Sequence, residues 1–379
     1  MRKLRLIITG GGTGGHIYPL IAVVSELRAL AMQNNVDLRI KYLGSPGVFR
    51  STLQMNKIEV IELPLAKIRR HRFSLLKNIV DIPKFIFGFI KSLWVTLWFM
   101  PNVLFSKGGP GSLEVVLASA FYFVPTIIHE SDTIPGLSNK IGGWFARVVA
   151  LSYPSAVKYF DKNAFYTGAP VRADLFQDQE KTQAFSKKFN GFLPDRPLIL
   201  VIGGSQGAVR LNNLVINNLQ TLLQFTQVLH QTGKDNYEAL LPKANDIMRT
   251  VPIGLREGYL PVSYFKENIH LAYKAADLVI SRSGSGSIFE IAALGRPSVL
   301  VPLPESAGDH QKYNAYEYAA TGAAEVLEEK DIYLDIFVTI IKDLLSDTDK
   351  LAQMSAAAKT FYKPDAAKHI AETILRIAR

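Results

Sequence analysis

The stretch SRSGSGSIFEIAALG, residues 281–295, decides the fold. It follows an apolar run at 278–280 that predicts a short buried strand, and it continues into apolar residues at helical spacing up to Gly295. A loop of serine and glycine between a strand and a helix lets a ligand approach the backbone closely, because glycine has no Cβ. The first N–H groups of the helix would face an anion, so the stretch predicts a phosphate site in a parallel α/β sheet.

Glu290 lies near the start of this predicted helix. A carboxylate there can accept hydrogen bonds from both hydroxyls of a ribose, as acidic residues do in other nucleotide-binding folds. The alternative is that Ser287 caps the helix and Glu290 is its capping-box partner three residues later. The two interpretations are compatible, and the sequence leaves both open.

Two more glycine-rich turns follow predicted strands and precede predicted helices. GGGTGGH occupies residues 10–16 and GGSQGA residues 203–208. One such turn in each half, with strands and helices alternating between them, predicts two Rossmann-like domains facing each other across a cleft. We expect domains at 1–172 and 173–360, with the basic amphipathic segment 361–379 crossing back onto the first. Further strands are predicted at 38–43, 102–105, 126–128, 148–151, 228–231 and 269–271, and the last core strand at 297–304.

Several site classes are not expected. Gly10, Gly12 and Gly15 match the dinucleotide-binding pattern, but the second predicted strand ends without the acidic residue that would hold a ribose, so NAD is discounted. Nothing resembles a Walker A lysine motif. The acidic pair Asp347 and Asp349 lies between predicted helices and is better explained by helix capping than by a metal. We therefore expect neither a metal nor a cofactor.

Composition limits the class of protein. The chain has 379 residues, too many for one ordinary core, and it is 48% hydrophobic and 20% charged, as in globular proteins. It has no cysteine, which excludes disulfides and a thiolate nucleophile. The net charge of +10 suits nucleic acid, anionic lipid or a phosphorylated substrate, and no nucleic-acid-binding motif is present. The first residues run directly into a strand, so we expect a cytoplasmic location.

A basic and aromatic segment interrupts the first half. KIRRHR at 67–72 precedes an apolar stretch that continues to Pro101, with FIFGFI and LWVTLWFM in it. Lys84 and Lys91 interrupt the stretch, and its apolar runs are shorter than the ~20 residues needed to span a bilayer. The segment predicts either an interfacial membrane surface or a buried helix pair with solvated lysines.

Taken together, the motifs resemble those of the MurG family. GGGTGGHIYP, HESDTIPG, TGAPVR, GGSQGA, SRSGSGSIFEIAALGRPSVLVPLP and DHQKYNA occur in the family's order and cover nearly the whole chain. The resemblance implies a GT-B glycosyltransferase that moves N-acetylglucosamine from UDP-N-acetylglucosamine to lipid I, giving lipid II for peptidoglycan. It also implies a peripheral protein on the cytoplasmic face of the inner membrane. The basic cluster at 67–72 predicts contact with anionic lipids, and the lack of a nucleic-acid-binding motif predicts no contact with nucleic acid.

The resemblance also implies roles for residues. Thr13, Gly14 and Gly15 would line the phosphate region of donor and acceptor. The implied donor contacts are Arg172, Ser205, Ser285, Gly286, Ser287, Glu290 and Gln311, with the first turn of the helix at the diphosphate, Glu290 on the ribose and Gln311 on the sugar hydroxyls.

The implied reaction is an inverting transfer that needs a base near the acceptor hydroxyl. His16 is the first candidate, Glu130 the second and Asp132 the third, and the alternative for His16 is a structural role in its loop. The family usually has Gln-Asn where this chain has Ser131 and Asp132, so Asp132 would contact the sugar differently from an amide. The loop at 106–116 also departs from the family's glycine-tyrosine pattern.

Other functions remain compatible with the sequence. A UDP-sugar:diacylglycerol glycosyltransferase or a UDP-N-acetylglucosamine 2-epimerase would share the architecture. A non-catalytic, membrane-associated scaffold that binds a UDP-sugar is the alternative from outside the enzymes.

Overall fold

The chain forms two compact units, one of Met1–Arg172 with Lys363–Arg379 and one of Ala173–Tyr362. The computed structural model describes residues 2–65, 75–160, 163–178, 180–204, 207–265, 268–331 and 334–378.

The first unit is built on a parallel sheet of seven strands within the described residues. The strands are β1 (Arg2–Thr9), β2 (Val36–Gly44), β3 (Glu59–Glu62), β4 (Val103–Ser106), β5 (Thr126–Glu130), β6 (Val148–Leu151) and β7 (Ala164–Tyr166). Their order is β3-β2-β1-β4-β5-β6-β7. The order therefore reverses between β1 and β4, where Thr9 pairs with Ser106, so the loops that follow these two strands begin side by side.

In the described residues, five helices of this unit lie between the strands: α1 (Gly14–Gln33), α2 (Arg50–Met55), α3 (Leu75–Phe99), α4 (Leu113–Phe121) and α5 (Leu137–Gly143). Helices on both faces bury the central strands, which explains why these strands are almost continuously apolar instead of alternating.

The second unit repeats the plan with a parallel sheet that has six strands in the described part of the chain. Its strands are β8 (Leu198–Ile202), β9 (Gln227–Gln231), β10 (Tyr259–Val262), β11 (Leu278–Ser281), β12 (Ser298–Leu300) and β13 (Ala324–Val326). Its helices are α6 (Gln183–Phe189), α7 (Val209–Asn217), α8 (Leu219–Phe225), α9 (Lys234–Thr250), α10 (Ile269–Ala275), α11 (Ser285–Ala293), α12 (His310–Ala319), α13 (Leu334–Ser346) and α14 (Thr348–Phe361). The strand order β10-β9-β8-β11-β12-β13 reverses between β8 and β11.

The last helix, α15 (Ala366–Ile377), packs against α1 in the first unit. Ile370, Ala371 and Ile374 are buried in the same core cluster as the side chains of β1 and α1. The hydrophobic face of this helix therefore contributes to the core of the first unit.

The structure confirms the predicted α/β class with parallel sheets, corrects two local predictions and confirms a third. Residues 269–271 begin helix α10 and are not a strand, although His270 and its neighbours are buried. The strand at 298–300 is not the last, because β13 pairs beside β12 at the edge of the sheet. Asp347 caps α14 by accepting a hydrogen bond from the Lys350 N–H at 2.8 Å, as predicted.

The apolar segment after residue 74 is a single helix, α3, and not a helix pair. Its exposed side includes Phe87, Trp94 and Trp98, and Trp98 is 70% exposed. In the described part of the chain, the stretch Asp81–Phe99 is the one helical segment long and apolar enough to cross a membrane, and 17% of it is buried. Each uninterrupted apolar run is shorter than a membrane span, but the helix as a whole has the length and composition of one. The basic cluster at 67–72 lies outside the described residues.

Candidate functional sites

Each sheet places its glycine-rich loops at the point where its strand order reverses. Ligands of open α/β sheets bind there, beyond the carboxyl ends of the strands. In the first unit the loops after β1 and β4 meet at this point, and in the second unit the loops after β8 and β11 do so. Each unit therefore presents one candidate site, which is described separately.

In the first unit the two loops touch through their backbones. The Gly11 N–H donates to the Gly108 carbonyl at 2.9 Å. Gly12 packs so closely on the loop after β2 that a Cβ on it would lie 2.6 Å from the Ser45 carbonyl oxygen. A contact within the protein therefore already requires glycine at position 12.

His16 lies where these loops meet. Its Nδ1 is 2.7 Å from Thr13 Oγ1, and its Nε2 is 2.8 Å from the position that a Cβ on Gly109 would take. The dense surroundings of the half-buried ring, followed by the charge of Lys107, lower the pKa of His16 to about 3. The imidazole is therefore neutral at physiological pH.

The bond to Thr13 controls which nitrogen of His16 can take up a proton. If Nδ1–H donates to the Thr13 hydroxyl, Nε2 keeps its lone pair and can act as a base. If the hydroxyl donates instead, the proton is on Nε2 and that nitrogen is a donor. Gly14 and Gly15 form the first turn of α1 beside this pair.

Glu130 lies at the end of β5 and is almost fully buried. Its Oε1 accepts from the Asp132 N–H at 2.9 Å, and its Oε2 accepts from the Gly136 N–H at 3.2 Å and from Asn139 Nδ2 at 2.9 Å. Burial, and then the Asp132 charge, raise the pKa of Glu130 to about 7. With both oxygens engaged, this carboxyl group shapes the turn that carries Asp132.

Lys107 is the residue of this site that the sequence reasoning missed. It follows β4 directly, and its Nζ donates to Ser131 Oγ. Burial lowers its pKa to about 8, against the opposing charges of Glu130 and Asp132. A signal was present in the sequence, because the lysine immediately precedes residues 108–112, where the loop departs from the family pattern.

Arg172 is the last residue of the first unit and is also buried. Its guanidinium lies over the ring of Tyr18 in α1, 4.3 Å from the ring centroid. This cation–π contact fixes the arginine beside the first turns of α1.

In the second unit the loop after β8 is equally constrained. A Cβ on Gly207 would lie 2.2 Å from the Thr232 carbonyl oxygen, and a Cβ on Gly203 would lie 2.7 Å from the Ala208 nitrogen. Gln231 Nε2 donates to the Gly204 carbonyl at 3.1 Å. Ser205, a predicted donor contact, lies outside the described residues.

Helix α11 begins at Ser285, with Gly284 as its N-cap. The predicted capping box of Ser287 and Glu290 is therefore wrong: Ser287 is the third helical residue and Glu290 lies in the second turn. Gly284 has no side chain with which to cap the helix. Ser285, Gly286 and Ser287 together form the first turn, where the helix dipole favours an anion.

Hydrogen bonds position both Glu290 and Gln311. Tyr273 Oη donates to Glu290 Oε2 at 3.1 Å. Gln311 Oε1 accepts from the Leu303 N–H at 3.1 Å, and its carbonyl oxygen accepts from Ser283 Oγ at 2.7 Å. Gln311 is thereby joined to the loop before α11, and its Nε2 amide is the remaining side-chain donor.

A buried arginine holds the loops around this second site. Arg282, directly after β11, donates to the carbonyls of Val301 and Pro302 at 3.1 and 3.2 Å and pairs with Glu329 at 2.5 Å. Arg210 at the start of α7 pairs with the same Glu329 at 3.0 Å. Within the described residues, no group of three or more histidine, aspartate or glutamate side chains forms a metal site.

Comparison with known proteins gives matches along nearly the whole chain. The model of the glycosyltransferase family 28 N-terminal domain matches residues 6–151, and that of the family 28 C-terminal domain matches residues 198–370. A Clostridium tetani protein named UDP-N-acetylglucosamine–N-acetylmuramyl-(pentapeptide) pyrophosphoryl-undecaprenol N-acetylglucosamine transferase is 35% identical, over 92% of this chain and 92% of its own.

Solved structures share the fold. The crystal structure of MurG from Acinetobacter baumannii matches with a TM-score of 0.72 and 22% identity, over 98% of this chain and 99% of its own. The UDP-N-acetylglucosamine 2-epimerase from Neisseria meningitidis matches with a TM-score of 0.68 and 13% identity, over 98% and 100%. With the two parallel sheets, these matches confirm the predicted GT-B class, and the sequence matches separate the chain from the epimerase.

The packing of His16 against Gly109 can be tested with a pair of glycine substitutions. Gly109 and Gly111 both have a left-handed backbone, with φ of +87° and +82°, so alanine at either costs roughly 1–2 kcal/mol of strain. Only the Gly109→Ala methyl group would collide with His16, so only this variant should push the ring out of the packed position that lowers its pKa. We expect the His16 ring, followed by NMR, to titrate near its ordinary pKa of about 6.5 in Gly109→Ala. In the wild type and Gly111→Ala it should not titrate between about pH 5 and 8. Equal behaviour of both variants would contradict this packing.

Proposed function

This chain belongs to glycosyltransferase family 28 and, within it, to the MurG family, and from that premise we propose that it converts lipid I to lipid II. It would transfer N-acetylglucosamine from UDP-N-acetylglucosamine to the C4 hydroxyl of the muramyl sugar. The main support for this proposal is the near full-length match to relatives whose names state this donor and this acceptor.

The proposed reaction is a single displacement. The acceptor oxygen O4 attacks the anomeric carbon and forms a new C–O bond, while the bond from that carbon to the β-phosphate oxygen breaks. The proton of O4 goes to a base, and UDP leaves with the bonding electron pair. The protein must therefore stabilise charge on the diphosphate and accept one proton.

The second unit suits the donor. The first turn of α11 offers backbone N–H groups and a favourable dipole to a diphosphate. Glu290 would accept from the ribose hydroxyls, with Tyr273 orienting the carboxylate. Gln311 would donate through Nε2 to a sugar hydroxyl, since its Oε1 already accepts from the backbone. Ser205 is a further proposed donor contact of this unit. Arg172, which belongs to the first unit, stays a predicted donor contact.

The first unit suits the acceptor. The proposed base is His16 Nε2, with Nδ1–H donating to Thr13. A pKa of about 3 makes the unliganded ring a weak base. Negative charge from a bound acceptor diphosphate, near Thr13, Gly14 and Gly15, would raise that pKa toward the neutral range in which general bases work best. Glu130 is the weaker candidate, because three N–H groups already engage its oxygens.

The acceptor's polyprenyl chain stays in a bilayer, so the enzyme has to reach the membrane surface. Helix α3 would lie in the interface as an amphipathic element of a peripheral protein on the cytoplasmic face. Its other side packs along α4, with Gly88 close to Glu114, which favours lying in the surface over crossing it. Anionic lipids would attract the basic cluster at 67–72 and the net charge of +10.

Release of UDP in the presence of a lipid I analogue tests both the function and the base. The wild type should turn over UDP-N-acetylglucosamine with lipid I, and not UDP-glucose with diacylglycerol.

His16→Ala should lower kcat by about 10²–10⁴-fold, the range for loss of a general base, with a nearly unchanged donor KM. His369→Ala, an exposed histidine of the same unit, is the control. No lipid I turnover by the wild type would refute the function, and a His16→Ala rate within about threefold of wild type, under 1 kcal/mol, would exclude His16 as the base.

The ribose assignment is tested by Glu290→Ala. Loss of a charged acceptor should weaken UDP-N-acetylglucosamine binding by about 1.5–3 kcal/mol, measured by calorimetry. Glu238→Ala removes an exposed carboxylate of the same unit and should leave the affinity unchanged. An unchanged affinity in the folded Glu290→Ala protein would remove Glu290 from the donor site.

The membrane assignment is tested by Trp94→Ser combined with Trp98→Ser. Both indoles are more than 60% exposed. Burying such a side chain contributes about 1.5–3 kcal/mol, so co-sedimentation with anionic vesicles should fall by at least about tenfold. Ile253→Ser, at a position 80% exposed in the other unit, should co-sediment like the wild type. If the tryptophan variant binds vesicles as well as the control, α3 is not the interfacial element.

A further inference from the structure

Lys107 is a charged residue in a buried position. It is only 1% exposed. Its N–H donates to the Thr9 carbonyl at 2.8 Å, and its Cβ lies 3.3 Å from where a Cβ on Gly10 would be. Its Nζ reaches across to Ser131 Oγ. One lysine therefore connects the carboxyl ends of β1, β4 and β5.

The charges around Lys107 explain why the ammonium is tolerated there. Removing an ammonium group from water is costly unless negative charge and hydrogen bonds compensate. Glu130 and Asp132 both act to raise the pKa of Lys107 against the effect of burial. The other groups that face it, His16 from α1 and His129 from β5, have lowered pKa values, first because of burial and then because of Lys107, so they add no positive charge.

Glu130 and Asp132 differ in how they contribute to the turn after β5. Glu130 is shared among three N–H donors, two of them from the backbone of that turn. Asp132 is the next residue after Ser131, which Lys107 holds, and its charge is a cause of the raised pKa of Glu130. Without a cation beside them, two carboxyl groups two residues apart would repel each other in a largely buried setting.

We propose that Lys107 is the counter-ion and positioning residue of this turn. It holds Ser131 by a hydrogen bond and offsets the Asp132 carboxylate. The turn thereby presents an acidic side chain to the acceptor at a position where the MurG resemblance predicts asparagine. The part of the inference that concerns the acceptor rests on the proposed function, and the part that concerns charge does not.

A charge-rescue cycle tests the proposal on the full-length protein, with Lys107→Met, Asp132→Asn and the double variant. Lys107→Met would leave Glu130 and Asp132 without the opposing charge of the ammonium group, so it should lower the melting temperature by at least about 5 °C. Adding Asp132→Asn removes the uncompensated charge and should restore at least half of that loss. Lys140→Met, at an exposed lysine of α5, is the control and should melt like the wild type.

Substrate kinetics give the second measurement. Lys107→Met should raise KM for a lipid I analogue about tenfold, leave KM for UDP-N-acetylglucosamine unchanged, and be rescued to within about threefold in the double variant. A lysine that only fills space would not be rescued by a charge change elsewhere. Strictly additive melting temperatures overturn the counter-ion role. Coupled melting temperatures with an unchanged acceptor KM overturn the positioning role. If the wild type uses no lipid I, the proposed function fails, while the melting cycle still decides the charge pairing.

Discussion

The reversal of strand order in each parallel sheet is the constraint on which both candidate sites depend. At that point the neighbouring loops leave the sheet from adjacent strand ends, Thr9 beside Ser106 in the first unit and Ile202 beside Ser281 in the second. Loops that start so close together can share contacts only if their backbones come near each other. Glycine permits this, and the hydrogen bond from Gly11 to Gly108 is the direct result.

In the first unit, the same close packing sets the protonation states of the site. His16 is neutral because its dense surroundings disfavour the charged ring and because Lys107 lies nearby. Glu130 has a raised pKa although three donors hold it, since burial and Asp132 outweigh them. The positive and negative groups are therefore interdependent: a change of one charge alters the protonation of the others, and an anionic ligand would do the same.

The second unit uses a different arrangement. Its loops are tied by the carbonyl contacts of Arg282 and by the charge pairs of Arg282 and Arg210 with Glu329. Three groups are proposed to contact the donor. The first turn of α11 offers the neutral dipoles of its backbone, Glu290 offers a carboxylate and Gln311 offers an amide. Helix dipoles and fixed amides need little reorganisation when charge develops on a diphosphate leaving group.

The sequence by itself determined the class of fold, the glycine turns and the family, because strand–glycine–helix patterns and motif order are local properties of the chain. Tertiary structure decided the rest. Whether 269–271 is a strand or a helix depended on packing, since buried apolar residues suit both. The capping box of Ser287 and Glu290 does not form, because the N-cap lies three residues earlier, at Gly284, and the helix begins at Ser285. Lys107 gained its role only when β4 and β5 became neighbours, which brought its ammonium group to Ser131 across 24 residues of sequence. Burial and charge pairing arise between distant segments, and no local pattern encodes them.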